Sequence, residues 1–188
     1  MTADTSGVEI ATARLRLRPV RSDDLPIVTA LGVDERVMTW LGGALTAEQS
    51  AAWLERQSRQ WRDHRLGPFL VEREGVFVGF AGLSRGDFDA GVVPGIEVAW
   101  RFVFKHWGKG YATEAARAVT ADAFGRLALD EVVAVTTPDN ARSTRVMDRL
   151  GMVHSPHDTF EHPRVPEGDP RRTHVVYRLS RAAWSRRT

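Results

Sequence analysis

The 188 residues contain no cysteine. Disulfides, thiolate metal sites and a cysteine nucleophile are thereby excluded, and the composition is compatible with the cytoplasm. No apolar run approaches the roughly 20 residues of a membrane span, so no membrane partner is expected. Residues 1–10 hold neither a basic segment nor an apolar one, so no signal peptide is expected. Lysine is almost missing: Lys105 and Lys109 are the only two, and every other basic side chain is arginine. A formal charge of +2 is too small to argue for nucleic acid. The arginines are also spread evenly, so no nucleic-acid partner is expected. His154, His157 and His162 are spaced irregularly in a proline-broken segment, and no metal site is expected from them. No repeat, low-complexity tract or linker interrupts the chain, and its length suits one domain over residues 1–188.

What is present centres on Lys105-His106-Trp107-Gly108-Lys109-Gly110-Tyr111-Ala112-Thr113. A run with strand character, Ile96 to Phe104, precedes it. A run with helical character, Thr113 to Leu127, follows. Glycines without a Cβ let a ligand approach the backbone. The first N–H groups of a helix lack intrahelical partners and carry partial positive charge. Together these make a site for phosphate oxygens, with both lysines of the chain beside it. The turn lacks the P-loop pattern, because Gly110 follows Lys109 where Ser or Thr is needed. It also lacks the dinucleotide fingerprint, whose third glycine would fall at Thr113. A phosphate-bearing cofactor of another kind is therefore expected.

In chain order, residues 1–11 read as a frayed start. Arg14 to Arg18 alternates as a half-buried strand. Ser22 or Asp23 caps a helix to about Val33, and a short helix covers Glu35 to Leu41. Thr46-Ala47-Glu48-Gln49 is a capping box for a helix reaching about His64. Trp53 and Trp61 on it read as core. Phe69 to Arg73 and Val76 to Leu83 form a hairpin about Glu74-Gly75. Residues 86–95 are a polar, Gly-rich loop. Glu97 shares a face with Ala99 and Arg101 by the period of two. Glu131 to Thr136 is a β-branched strand. Pro138-Asp139-Asn140 opens a helix that stops at Gly151. Residues 156–172, with four prolines, read as an ordered loop or lid. Val175 to Leu179 is a last strand, and Arg181 to Thr188 a short basic tail.

With these motifs in this order, the chain resembles the GNAT superfamily of acyl-CoA N-acyltransferases, in the branch of RimJ and RimL. Leu17-Arg18-Pro19, Asp34-Glu35-Arg36-Val37-Met38 and Ile96-Glu97-Val98-Ala99-Trp100 look like segments of that branch. Trp107 to Ala115 looks like its pyrophosphate loop, and Pro138 to Ser143 with Leu150-Gly151-Met152 like its second cofactor motif. The resemblance covers nearly the whole chain. It implies an α/β (α+β) fold: a mixed, mostly antiparallel sheet of about seven strands, splayed between strands 4 and 5, with about four helices. It also implies acetyl-CoA as cofactor. The backbone at Phe102, Val103 and Phe104 would bind the pantetheine arm. The amides of Gly108, Lys109, Gly110, Tyr111, Ala112 and Thr113 would hold the pyrophosphate. Asn140 would bind pantetheine, and Ser143 would lie near the thioester sulfur. The other partner would be a primary amine, on a small molecule or a protein N-terminus, and the chain a monomer or homodimer. A non-catalytic acyl-CoA-binding protein of the same fold is the alternative.

An amine attacking a thioester must be neutral, its tetrahedral oxyanion needs donors, and the departing thiolate needs a proton. A backbone N–H near Val103 is the expected oxyanion donor. Glu97 is the expected general base, since partial burial would raise its pKa toward the working pH. His162 is its rival. Many relatives carry a tyrosine acid where this chain has Met147, whose thioether cannot donate. Ser143 is then the candidate acid. Residues 34–43, 84–94 and 156–172 are expected on the acceptor side, because loops carry specificity.

Overall fold

The computed structural model describes residues 8–85, 95–163 and 165–187. Residues 86–94, most of the expected Gly-rich loop, lie outside the described residues. The alternating runs form eight strands: β1 (Ile10–Ala11), β2 (Arg16–Pro19), β3 (Pro68–Arg73), β4 (Val76–Arg85), β5 (Ile96–Phe102), β6 (Glu131–Thr136), β7 (Val153–Glu161) and β8 (Thr173–Ser180). They make one sheet in the order β1-β2-β3-β4-β5-β6-β8-β7. Among the described residues every pairing is antiparallel except β5 with β6. Six α-helices accompany it: α1 (Leu25–Gly32), α2 (Glu35–Met38), α3 (Ala47–His64), α4 (Tyr111–Gly125), α5 (Ala141–Leu150) and α6 (Arg181–Ser185).

Local chemistry sets these boundaries. Thr46 Oγ1 accepts from the Gln49 amide while Gln49 Oε1 accepts from the Thr46 amide, so α3 opens on the expected capping box. Gly151, at φ +84°, closes α5 in the left-handed region. Trp61 is core: its ring packs edge-on against Phe69 at 4.9 Å and its indole N–H donates to Pro68 O. The alanines of α4 at 115, 116 and 123 are fully buried, so this helix lies close on β4 and β5. Helix α5 packs against α4 and β6. Helices α1–α3 cover the other face of the sheet, where Trp53 meets Phe80 at 5.7 Å.

Several expectations change. There are eight strands and six helices among the described residues, where about seven and four were expected. Ile10 and Ala11, read as frayed, pair with Leu17 and Arg16 and make a first edge strand. The predicted strands 4 and 5 are therefore β5 and β6. Residues 156–161 belong to β7, because Pro156 lies in the stretch where its register with β8 slips, between His154 and Thr159. Arg181 to Ser185 is helical, capped by Ser180 and anchored by Trp184, which is 7% exposed and packs on Phe124. Short 3-10 turns occupy Ser22–Asp24 and Phe104–His106. The second ends β5 two residues earlier than its apolar pattern suggests.

Candidate active site

The site begins at the one parallel pairing among the described residues. Strands β5 and β6 share one register pair, Glu97 with Val133, and then part. The alternation of antiparallel bonds fixes what β5 offers to the gap. Val103 N–H donates to Val78 O at 3.0 Å, so residues 97, 99 and 101 aim their backbone groups at β4. The backbone groups of Val98, Trp100 and Phe102 then aim at β6. Trp100 and Phe102 lie beyond the last shared pair. The indole of Trp107 donates to Phe102 O at 2.7 Å, which leaves the Trp100 peptide groups and the Phe102 N–H turned to the opening.

At the far end of β5 the glycine turn leads into α4. Gly108 and Gly110 stand at φ +75° and +80°, where a side chain is strained. A Cβ at Gly108 would meet no atom within 4 Å, so its glycine leaves an open face for a ligand. Gly110 is the N-cap of α4, and no side chain caps the helix there. Arg14 braces the turn from outside. It donates to Lys109 O at 3.0 Å and pairs with Glu114 on α4 at 2.6 Å. Burial alone would raise the Glu114 carboxyl, but bonds from Thr12 and Arg14 hold it below the usual range. Arg73 donates to the Tyr111 hydroxyl from the sheet.

Across the gap, β6 ends at Thr136 and α5 starts after Asn140. Asn140 Oδ1 accepts from the Ser143 amide at 3.3 Å, and its Nδ2 donates to Thr136 Oγ1 at 3.0 Å. Both ends of this buried amide are thus used in shaping the turn. The Thr137 hydroxyl, 1% exposed, has no hydrogen-bond partner among the described residues. Arg142 lies over the Trp107 ring at 4.8 Å, joining the two walls.

An open cleft of about 730 Å³ runs through the gap to the α1–α3 face. Glu97, Ala99 and Arg101 lie on that face of β5, opposite Ser84, Gly82 and Phe80 of β4. Burial pushes the Glu97 carboxyl up to about 7, and it makes no ion pair or hydrogen bond among the described residues. Burial pulls the Arg101 guanidinium down to about 10. The outer wall is the β7–β8 turn. There His162 and His174 have ring centroids 4.8 Å apart. His174 is buried, which lowers its pKa. Arg171 donates to Thr39 O at 3.2 Å, so this turn meets the segment after α2 above the cleft.

A splayed β5–β6 pair, an uncapped helix behind two positive-φ glycines and a threaded cleft belong to one architecture, and comparison with known proteins identifies it. The sequence profile described as an acetyltransferase (GNAT) domain matches residues 14–153. The chain belongs to the GNAT acetyltransferase family. Among curated relatives, the uncharacterized protein YkkB of Bacillus subtilis is 30% identical over 150 residues, 78% of this chain and 86% of its own length. Among solved structures, an acetyltransferase from Agrobacterium tumefaciens is 28% identical, with TM-score 0.76, over 93% of this chain and 95% of that one. RimL, a ribosomal-protein acetyltransferase solved with coenzyme A, superposes with TM-score 0.76 over 93% of this chain and 99% of its own, at 14% identity. That last likeness is one of fold. The protein is an acyltransferase of mixed α/β architecture with RimJ/RimL-like neighbours. Among the described residues no helix is long and apolar enough to cross a membrane.

Within this GNAT framework the cleft brings together Glu97, Phe102, Gly108, Gly110, Tyr111, Ala112, Thr113, Asn140, Ser143 and His162. Three predicted residues lie off its lining. Lys109 is exposed, with its carbonyl held by Arg14. Phe104 is 40% exposed and packs on Trp107. Val103 spends its N–H on Val78 O and its C=O on the His106 amide. Its N–H is therefore not free to serve as a donor in the cleft, and by the period of two the β5 backbone groups turned to the gap are those of Trp100 and Phe102. Met147, 1% exposed, lines the cleft without a proton to give. The sequence reading missed Thr137, His106 and His174, each polar and each a cleft residue. It also read Trp53 as core alone, whereas this ring is half-buried on the cleft wall. Thr137 sits beside the Pro-Asp-Asn motif, a signal that was available. His174 is joined to His162 only by strand pairing, and no local pattern announces that.

Proposed function

We propose that this chain transfers the acetyl group of acetyl-CoA to a primary amine by direct attack in a ternary complex. The observation that carries the reading is the position of Glu97. An otherwise unpaired carboxylate, raised to about 7, stands where the sheet opens, on the face away from the helix that begins at Gly110. A base at that pKa is poised to take a proton from an ammonium group near neutral pH.

The residues present fit coenzyme A. Backbone amides of Gly108, Gly110, Tyr111, Ala112 and Thr113 supply an anion cradle with no competing cap. Trp100 and Phe102 offer strand-edge groups to an extended, amide-bearing chain, as a missing strand would. Thr137 adds an unused hydroxyl in the same gap. When bound, acetyl-CoA supplies an activated acyl thioester.

The chain's own residues do the rest. Glu97 accepts the amine proton, directly or through one water. The Trp100 N–H takes the expected role of oxyanion donor, a fixed dipole that needs no reorganisation. Ser143, in the first turn of α5, is the candidate donor to the leaving sulfur. His162, the rival base, lines the same cleft. Incubation with acetyl-CoA and a panel of small amines and peptide N-termini, read by mass spectrometry, tests the reading. An acetylated amine whose formation needs Glu97 supports it. Tight acetyl-CoA binding with no acetylated product from any amine would leave a binder and not an enzyme.

A further inference from the structure

Arg101 is a cation inside the cleft, and among the described residues no anion meets it. It projects from β5 on the same face as Glu97, with Ala99, a small and exposed residue, between them. Its side chain touches Met38 Sδ at 3.6 Å and lies 5.5 Å from the centroid of the Trp53 ring. A thioether and a ring face hold a guanidinium in place, but neither satisfies its five N–H donors. No carboxylate or carbonyl bonds it among the described residues. Arginines elsewhere are treated differently. Arg18 pairs with buried Asp24 at 2.7 Å, Arg171 with Asp169 at 2.7 Å, and Arg178 with Asp158 at 2.8 Å. A half-buried charge that lacks a partner is costly, and burial already depresses the Arg101 pKa.

The direction of the side chain says which ligand could supply the missing anion. Phosphate groups at the glycine turn would sit at the start of α4, against the opposite face of the sheet. Arg101 instead faces α2 and α3, on the Glu97 side, where the amine must enter. We infer that the acceptor is a carboxylate-bearing amine, an amino acid or a similar small molecule, whose carboxylate docks on Arg101 while its amine faces Glu97. A planar carboxylate matches the fork of a guanidinium, and a lysine would not reproduce that geometry. The inference rests on the acetyl-transfer reading and names the substrate class of the same site.

The test uses matched amines and the intact chain. Thiol release from acetyl-CoA is followed with L-amino acids and ω-amino acids, each beside its carboxamide. Wild type, Arg101→Lys and Arg101→Met are compared. The expected result is a kcat/KM at least tenfold higher for acids than for amides in wild type. That preference should be lost in Arg101→Met and not recovered in Arg101→Lys, with the change in acceptor KM and with KM for acetyl-CoA unaltered. Retention of the melting shift given by acetyl-CoA shows that each variant is folded. Equal turnover of acids and amides by wild type overturns the carboxylate while leaving acetyl transfer standing. A raised KM for acetyl-CoA in Arg101→Met overturns it as well, by assigning Arg101 to the donor. If no amine is acetylated, isothermal titration of the same acids and amides into the coenzyme A complex decides. Binding of acids alone, lost in Arg101→Met, supports the site, and no selectivity overturns it.

Discussion

Glu97 and Arg101 lie four residues apart on one face of β5, and neither meets an opposite charge among the described residues. Strand geometry sets their Cα atoms about 13 Å apart, with Ala99 between. Burial moves the carboxyl up and the guanidinium down, so each is pushed toward its neutral form. The cleft between them is thus a polar site whose ionic demands are unmet among the described residues.

Glu97→Gln keeps shape and removes the proton acceptor. If Glu97 is the base, the rate with a proven acceptor should fall roughly 10²–10⁴-fold with acetyl-CoA binding intact. The wild-type rate should rise through a limb near pH 7, where the carboxyl ionises. The deficit of the variant should shrink at high pH, as more of the amine is already neutral. Full activity in Glu97→Gln alongside a dead His162→Ala would move the base to the β7–β8 turn.

The same carboxyl makes stability depend on pH. Its pKa in the folded chain, about 7, exceeds its ordinary 4.5, so the folded state binds the proton more tightly. The stabilisation from that proton is fully present below about pH 4.5 and is lost as pH rises through 7. Glu97→Gln has no such loss. Its melting temperature should match wild type near pH 4 and exceed it at pH 8, where the gap is at most about 3 kcal/mol in free energy. A gap that is the same at both pH values would show that burial does not strain this group.

Acetyl-CoA at ~100 times its dissociation constant should add about 2.7 kcal/mol to stability. For a chain of this size that is roughly 5–11 °C in melting temperature. NADH and ATP should give much less. Gly110→Val should remove the shift, since φ is +80° there and a β-branched residue cannot hold the turn in that conformation. The variant should still fold, at a cost of about 1–2 kcal/mol for the strained backbone. A normal shift in this variant would separate the turn from the phosphates.

Asn140 carries two bonds that can be taken apart. Asn140→Ala loses the cap on α5 and the bond to Thr136, and should lower stability by about 1–2 kcal/mol. Asn140→Asp keeps the acceptor for the Ser143 amide and loses only the donor. Denaturant unfolding should rank wild type, Asp and Ala in that order. An Ala variant as stable as wild type would mean the turn is held by its backbone bonds and not by the Asn140 side chain.

Much of this was legible in the residues. The capping box at Thr46, the stop at Gly151 and the glycine turn are local signals, and each sits where its chemistry requires. Glu97 could be placed because period-two alternation needs no partner to be read. The errors came from pairing. Whether Val103 N–H is free depends on Val78, 25 positions earlier. Whether Pro156 breaks a strand depends on the slip in register with β8. Arg101 was seen as a neighbour of Glu97 in period, but its lack of a counter-charge shows only once α2 and α3 are folded over it.

The alternation of β5 divides what mutation can reach from what it cannot. Main-chain groups of residues 100 and 102 face the gap, and no substitution short of proline removes them. Side chains 97, 99 and 101 face the opposite chamber and can be exchanged one at a time. Under the proposed function, a lineage could then drift from one acceptor to another by single changes at Ala99 or Arg101 without ever losing its grip on the acyl donor. Randomising those two positions is accordingly the shortest experimental route to a changed substrate range.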